Sequence, residues 1–270
     1  MIVIGLTGSL ATGKSTVSRL LSAPPYSFPI IDADILARQV VEPGTYGYRQ
    51  TLKHFGPTTP DLLLPQHEDK NGKGRPINRP ALGRRVFGND PERIRDRKIL
   101  NDIIHPLVRL AMVRQMVYYY LLGYWAVVLD IPLLFESGLD IFVSIVMMVS
   151  VTSPEVQMKR LRERDKALSA REAEERVGSQ MGVEEKVKRT RARGMERGKV
   201  VLNDGGMGDL EAEVRRVIAE VRDEGRGGLW GWWLWGSPVG AMGVGAWEVW
   251  KSWRARSRWQ EEKVQEKARL

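Results

Sequence analysis

The 270-residue sequence contains no cysteine and only three histidines. The first absence removes disulfide frameworks, thiol nucleophiles and cysteine-ligated zinc together, and it fits a reducing compartment or simple avoidance of thiols. So few histidines, scattered as they are, also argue against a histidine-rich metal centre and a zinc-based nucleic-acid reader. No Asn-Lys-x-Asp guanine-reading motif follows the later apolar runs, which disfavours a GTPase. The opening residues lack the charged start, long apolar stretch and small-residue cleavage site of a secretory signal, so Ile2-Val3-Ile4-Gly5-Leu6-Thr7 reads as a buried first strand. What the chain does have is a 43% apolar fraction, enough for a core, and a formal charge of +9 with a pI near 9.8. The charge points to a polyanionic partner, whether nucleic acid, membrane surface or phosphorylated metabolite, without choosing among them.

The patterning is that of an α/β domain. The first run is followed by a glycine-rich stretch, a helical pattern from Lys14 to Leu21, and a second strand, Phe28-Pro29-Ile30-Ile31. Residues 34–55 are helical with a break at Pro43-Gly44, residues 56–80 read as loop, and residues 80–124 return to helical periodicity interrupted near Gly88. Trp125–Asp130 and Ile141–Val149 are short continuous apolar runs of the kind that form central parallel strands covered on both faces. Lys199–Leu202 reads as the last strand, and Leu210, Val214, Val217 and Val221 make one stripe of a closing helix. Between these, residues 159–199 carry fourteen Lys or Arg against eight Asp or Glu. That segment is either a solvated, salt-bridged helical pair or a basic lid over phosphates.

Gly8-Ser9-Leu10-Ala11-Thr12-Gly13-Lys14-Ser15 satisfies G-x-x-x-x-G-K-[ST] between a predicted strand and a predicted helix, which is the context of a phosphate-binding loop. The two glycines permit a tight turn, and the helix beyond them presents unpaired amides and its positive dipole end to the same anion. Lys14 can reach the β and γ phosphates of ATP, and the Ser15 hydroxyl can ligate Mg²⁺. Asp130 ends a buried strand, where it serves either as a carboxylate near the metal or as an ordinary strand-end residue. Asp32 and Asp34 stand at the end of the second strand, one suited to cap the following helix and the other to accept a proton from an attacking hydroxyl. His105, before Pro106 in a helical pattern, is left unassigned by pattern alone.

These residues resemble the dephospho-coenzyme A kinase family. The matching pieces are Ile4-Gly5-Leu6-Thr7-Gly8 with Thr12-Gly13-Lys14-Ser15-Thr16, Ile31-Asp32-Ala33-Asp34 with Ala37-Arg38-Gln39-Val40-Val41-Glu42-Pro43-Gly44, Ile103-Ile104-His105-Pro106-Leu107-Val108, Asp130-Ile131-Pro132-Leu133-Leu134-Phe135-Glu136, Arg164-Asp165, Arg176 with Gln180 and Lys186, and Asn203-Asp204-Gly205. The resemblance spans residues 1 to about 222. It implies an α/β P-loop NTPase fold, a three-layer arrangement around a parallel sheet with helical substrate-binding and lid insertions, in a domain over residues 1–225. The acceptor-binding helical region would cover residues 36–124 and the lid residues 155–195. The implied reaction is ATP-dependent phosphorylation of the 3′-hydroxyl of dephospho-coenzyme A. On that resemblance Asp34 is the base, Lys14 and Arg164 act on the transferring phosphoryl group, and Gly8, Ser9, Leu10, Ala11, Thr12, Gly13, Lys14, Ser15 and Thr16 bind ATP. Asp32, His105 and Arg176 bind substrate, and Ser15 and Asp130 hold Mg²⁺. Ser9 departs from the family, whose bacterial members commonly have a second glycine there. Nucleic acid drops out as the polyanion.

The resemblance leaves residues 226–270 unexplained. Eight of the nine tryptophans lie in the last 41 residues, and Gly227–Trp247 carries no charge over 21 residues. That length suits a bilayer, but seven of those residues are glycine, and tryptophan prefers the interface to the hydrocarbon centre. Interfacial or hairpin anchoring to a membrane is the first expectation, a marginal spanning helix the second, and an apolar segment docked on a partner or on the chain's own surface the third. The basic residues Lys251, Arg254, Arg256 and Arg258 favour an anionic leaflet facing the cytoplasm, so the expected location is the cytoplasmic side of a membrane.

Overall fold

A computed structural model of the chain describes residues 1–66, 72–88, 90–165, 177–178, 181–226 and 238–268. The chain divides into two compact units, one made of residues 1–30 and 122–270, the other of residues 31–121.

The first unit is built on parallel strands. β1 (Ile2–Gly8) lies between β3 (Ala126–Asp130) and β4 (Ile145–Ser150), and β5 (Gly198–Leu202) adds beyond β4. The short strand β2 (Ile30–Asp32), where the unit boundary falls, completes the order β2-β3-β1-β4-β5. Every residue of β3 and β4 is buried, as the unbroken apolar runs required. One face packs Ile4, Leu6, Val128 and Met147 against Val17 and Leu21 of α1 (Lys14–Ser22) and the Leu210, Val214, Val217 and Val221 stripe. The opposite face is covered around Leu134 and Phe135, and the helix Val183–Arg191 lies against β4 and β5. Helices therefore cover both faces of the sheet, the three layers expected. Because β1 has neighbours on both sides reached by separate crossovers, its carboxyl end is the switch point where such sheets bind ligands.

The second unit is helical. It comprises α2 (Ala33–Gln39), α3 (Tyr46–Phe55), α4 (Arg79–Val86) and α5 (Pro91–Leu121), with Tyr48, Phe55, Leu62, Ile77, Leu82 and Val86 as its core. The break at Pro43-Gly44 and the interruption near Gly88 fall where the sequence pattern puts them.

One strand is shorter than its apolar run. The chain from Ile141 to Val149 is not a single strand, because Gly138 in the left-handed region (φ 70°) starts a 3-10 turn over Leu139–Phe142 and the strand begins only at Ile145. Among the described residues, the remaining helices of the first unit are α6 (Pro154–Arg164), α7 (Val183–Arg191), α8 (Met207–Arg226) and α9 (Pro238–Ala268).

α9 carries the tail. Among the described residues no helix is long and apolar enough to cross a membrane, so the spanning expectation finds no support. Residues 227–237, with four of the tryptophans, lie outside the described residues. The described tail docks on its own unit through polar side chains beyond Trp247. Ser252 is fully buried; its hydroxyl donates to the Val143 carbonyl (3.2 Å) and accepts from the guanidinium groups of Arg193 (3.1 Å) and Arg197 (3.0 Å). That uses the full capacity of a hydroxyl. Beside it, buried Asp140 draws Arg189 and Arg193 to 3.4 Å each. Burial pulls the pKa of Arg189 below its ordinary value, and Asp140 opposes that shift.

The tightest backbone approach in this unit is at Gly198, where an added Cβ would lie 1.9 Å from the Thr190 carbonyl oxygen. Gly198→Ala is expected to cost about 3 kcal/mol, the upper end of overpacking, measured by urea unfolding. Gly56→Ala, which meets nothing within 4 Å, should stay within about 0.5 kcal/mol of the parent or stabilise it slightly. Equal effects of the two would refute the close approach.

Candidate active site

β1 delivers the chain at Gly8 into a loop that reaches α1 at Gly13. Gly13 has φ 93°, and an added Cβ would sit 2.2 Å from Asn203 Nδ2, so both backbone and neighbour demand glycine. The loop's carbonyls are engaged from elsewhere. Asn203 Nδ2 donates to Thr12 O (2.9 Å), Gln157 Nε2 to Leu10 O (2.8 Å), and Thr12 Oγ1 to Ser9 O (2.9 Å). Gly13 has no side chain to cap α1, and the first backbone bonds accepted at its carbonyl come from Thr16 and Val17. The amides of Lys14 and Ser15 are thereby left to an external anion. Ser9 Oγ is buried with no partner among the described residues, which adds a hydroxyl donor to the same loop.

Lys14 Nζ forms an ion pair with Asp130 Oδ1. The register explains why they meet: Asp130 ends β3 directly opposite Leu6, two residues before β1 gives way to the loop. Asp130 is 5% exposed, so this carboxylate faces the loop rather than solvent. The strand ends are locked together by Ile131 N donating to Leu6 O (3.0 Å) and Thr7 Oγ1 donating to Pro132 O (3.0 Å).

A second ion pair supports the same turn. Lys186 of α7 is fully buried, and its ammonium donates to Glu136 Oε1 (2.9 Å) and to Pro132 O (3.2 Å). Glu136 also accepts from Met181 N (3.3 Å). The far side of the basic segment is thus tied to the turn beyond Asp130. On its near side, Arg160 of α6 donates to Asn203 O (2.6 Å), which links α6 to the residue holding the loop.

In the helical unit Asp32 is the N-cap of α2. Its Oδ1 accepts from Asp34 N (2.8 Å) and Ile35 N (3.0 Å), the capping role expected of one of the two aspartates. Asp34 stands exposed in the first turn of α2. His105 is exposed on α5, which packs against α2 and runs through Pro106. Arg164 is the last residue of α6, and Arg176 lies outside the described residues.

The structure brings Gly8–Thr16 and Asp130 together in the first unit; Asp32, Asp34 and His105 belong to the second unit. The sequence pattern gives no signal for Gln157. It also leaves Asn203, Glu136 and Lys186 without a role, although all three stand inside the matching segments.

The dephospho-CoA kinase family model matches residues 2–207. Dephospho-CoA kinase CAB5 of Saccharomyces cerevisiae is 41% identical over 222 residues, covering 82% of this chain and 83% of that protein. The dephospho-CoA kinase of Bacillus cereus is 42% identical over 217 residues, covering 80% and 96%. Among solved structures, the dephospho-CoA kinase from Campylobacter jejuni is similar with a TM-score of 0.59 and 28% identity, covering 82% of this chain and 97% of that one. The protein TT1252 from Thermus thermophilus matches with a TM-score of 0.60 and 31% identity over the same shares. The family match stops short of α9.

If Asn203 holds the loop, Asn203→Ala should weaken ATP binding about fivefold, the worth of one net hydrogen bond of about 1 kcal/mol. Titration calorimetry measures this directly, and an unchanged affinity would remove Asn203 from the site.

Proposed function

This chain belongs to the dephospho-CoA kinase family, and we propose that its P-loop and Asp34 divide between them the ATP-dependent phosphorylation of dephospho-CoA. The observation that carries the proposal is the P-loop with its carbonyls engaged, its first helical amides unpaired, and Lys14 held at the carboxyl end of β3.

Phosphoryl transfer needs positioning and charge neutralisation more than covalent chemistry from the protein. The amides of Lys14 and Ser15 and the Lys14 ammonium take the β and γ phosphates, with the Lys14 ammonium exchanging its Asp130 partner for phosphate oxygen. Asp32 is committed to its cap, which leaves Asp34 as the carboxylate for the acceptor. The 3′-oxygen of the ribose attacks the γ-phosphorus, its proton passes to Asp34, and the bond to the β–γ bridging oxygen breaks to release ADP. Arg164 neutralises charge on the phosphoryl group in flight, and His105 and Arg176 bind substrate.

Mg²⁺ suits the donors present. Ser15 Oγ and the Asp130 carboxylate are hard oxygen donors, and no group of three or more acidic or histidine side chains gathers among the described residues. Magnesium bound by few protein ligands and by substrate phosphates asks for no more, and when bound it supplies positive charge to the phosphate oxygens. Asp34→Asn should lower kcat by at least about 100-fold, the usual worth of a general base, with ATP affinity unchanged. A variant that keeps its kcat would remove Asp34 from the chemistry, and a wild-type enzyme that turns over nucleosides but not dephospho-CoA would overturn the reading.

The tail supports a second, smaller proposal. α9 turns its buried Ser252 inward, while Trp247 (54% exposed), Trp250 (41%) and Trp253 (56%) face out. Trp247 and Trp250 stack at 4.9 Å, with Lys251 over the first ring and Arg254 over the second. Amphipathic aromatic rings interleaved with cations suit an anionic lipid surface, at about 1 kcal/mol for each cation near the head groups. The full chain should co-sediment with phosphatidylserine vesicles and lose that with all three tryptophans changed to alanine. Equal sedimentation of the two proteins would exclude lipid contact by this face.

A further inference from the structure

The match to the family model ends at residue 207, so α9 takes no part from it. Its inward side nevertheless meets the connection between β3 and β4, residues 131–144, whose first residues follow directly on Asp130. That connection is bound at both ends. At the near end Pro132 O accepts from Thr7 Oγ1 (3.0 Å) and from the Lys186 ammonium (3.2 Å), and Glu136 pairs with Lys186 (2.9 Å). At the far end Val143 O accepts from Ser252 (3.2 Å) and Arg193 (3.3 Å), and Gly138 O accepts from Arg256 (3.4 Å).

Gly138 shows how closely the tail is fitted. A Cβ added there would lie 2.5 Å from Arg256 Nη1, so a guanidinium of α9 fills the space that a side chain at this position would need. Ala255, Arg256 and Trp259 of α9 face Phe135, Asp140 and Arg189 across a gap of only about 10 Å³. That is room for one water molecule at most.

α7 joins the two ends of the connection. Lys186 and Arg189 stand three residues apart on it, on one side of the helix. Lys186 reaches the near end, whereas Arg189 lies over the buried Phe135 ring (4.6 Å to its centroid) and approaches Asp140 together with Arg193 (3.4 Å each). From Ser252 the contacts therefore run through Arg193, Asp140 and Arg189 to Phe135, the neighbour of Glu136.

Resting on the kinase reading, we propose that α9 is a positioning element for phosphoryl transfer: Ser252 and Arg256 hold the far end of the β3–β4 connection and so set Asp130 and, through it, the Lys14 ammonium. Phosphoryl transfer depends on placement, and a shift of about 1 Å caused far from the chemistry can cost about 100-fold in rate. Groups that approach phosphate need such support from behind. Loss of the Ser252 hydroxyl removes one acceptor from each of two guanidinium groups and one donor from Val143 O, all in a buried setting where such losses are costly. The catalytic unit of this chain is thus completed by residues beyond those the family model matches.

The test uses the full chain. Ser252→Ala should weaken ATP binding in the presence of Mg²⁺ at least fivefold by calorimetry and lower kcat at least tenfold, with KM for dephospho-CoA unchanged. Val249→Ala, exposed on the same helix, should change none of these. Hydrogen exchange supplies a readout that needs no turnover, because the amides of Ser137 and Gly138 bond to the carbonyls of Leu133 (2.9 Å) and Phe135 (3.3 Å) within the connection. They should exchange at least tenfold faster in Ser252→Ala and in the milder Arg256→Gln, while the amides of α1, on the other face of the sheet, keep the parental rate. Unchanged ATP affinity, unchanged exchange at Ser137 and Gly138, or exchange at α1 that rises by the same factor would overturn the proposal, the last by showing a tail that only adds stability. A parent chain that does not phosphorylate dephospho-CoA, but in which Ser252→Ala weakens ATP binding and speeds exchange at those two amides alone, would sustain the positioning role and refute the kinase reading instead.

Discussion

Lys14 leaves the first turn of α1 and Asp130 closes β3, and the ion pair between them fixes the P-loop to the end of one of the two strands that flank its own. Neither residue could be placed without the sheet. The parallel pairing of β1 with β3 sets Leu6 opposite Asp130, so the carboxylate arrives where the loop begins. Because Asp130 is almost fully buried, the pair is of the kind whose disruption costs about 3–5 kcal/mol. An exposed pair such as Arg84–Asp61 contributes about 0–1 kcal/mol. The same desolvation gives the Lys14 ammonium a strong field to offer to phosphate.

The remaining contacts of this unit can be read outward from that joint. Ile131 and Thr7 bond the two strand ends, Lys186 and Glu136 hold the turn after Asp130, and Asn203 and Gln157 hold the loop from the side of β5 and α6. The helices α6 and α7 are tied to these groups, the first through Arg160 and the second through Lys186. Beyond α7, Arg193 and Arg197 meet Ser252, so the docked tail helix bears on the chain that supports the turn. Polar contacts of this sort are directional, and each constrains the position of a group that approaches phosphate.

Much of this was legible in the sequence because the signals are local. A strand, a glycine-rich loop and a helix declare a P-loop through spacing alone, and the buried runs at Trp125–Asp130 and Lys199–Leu202 fell within a residue or two of β3 and β5. The run at Ile141–Val149 misled because periodicity does not register a left-handed glycine, and Gly138 turned its first residues into a 3-10 turn. Asn203 and Gln157 act on carbonyls 191 and 147 residues away, a relation that no one-dimensional pattern contains. The tail's composition is marked by tryptophan and glycine, whereas the docking of its described part rests on one serine and two arginines.

The positive charge excess of the chain is divided among distinct tasks. Lys14 belongs to the P-loop, Lys186 to its support, Arg189, Arg193 and Arg197 to the buried seat of the tail, and Lys251 and Arg254 to the outward face of α9. What unites the first two with the acceptor side is a single transfer, from the γ-phosphate of ATP to one ribose hydroxyl. Its most direct test is the position of the phosphate in the product formed from dephospho-CoA, ATP and Mg²⁺, read by phosphorus NMR through coupling to the ribose proton. The account predicts one new phosphomonoester coupled to H3′. A phosphate coupled to H2′, or none transferred, would contradict it.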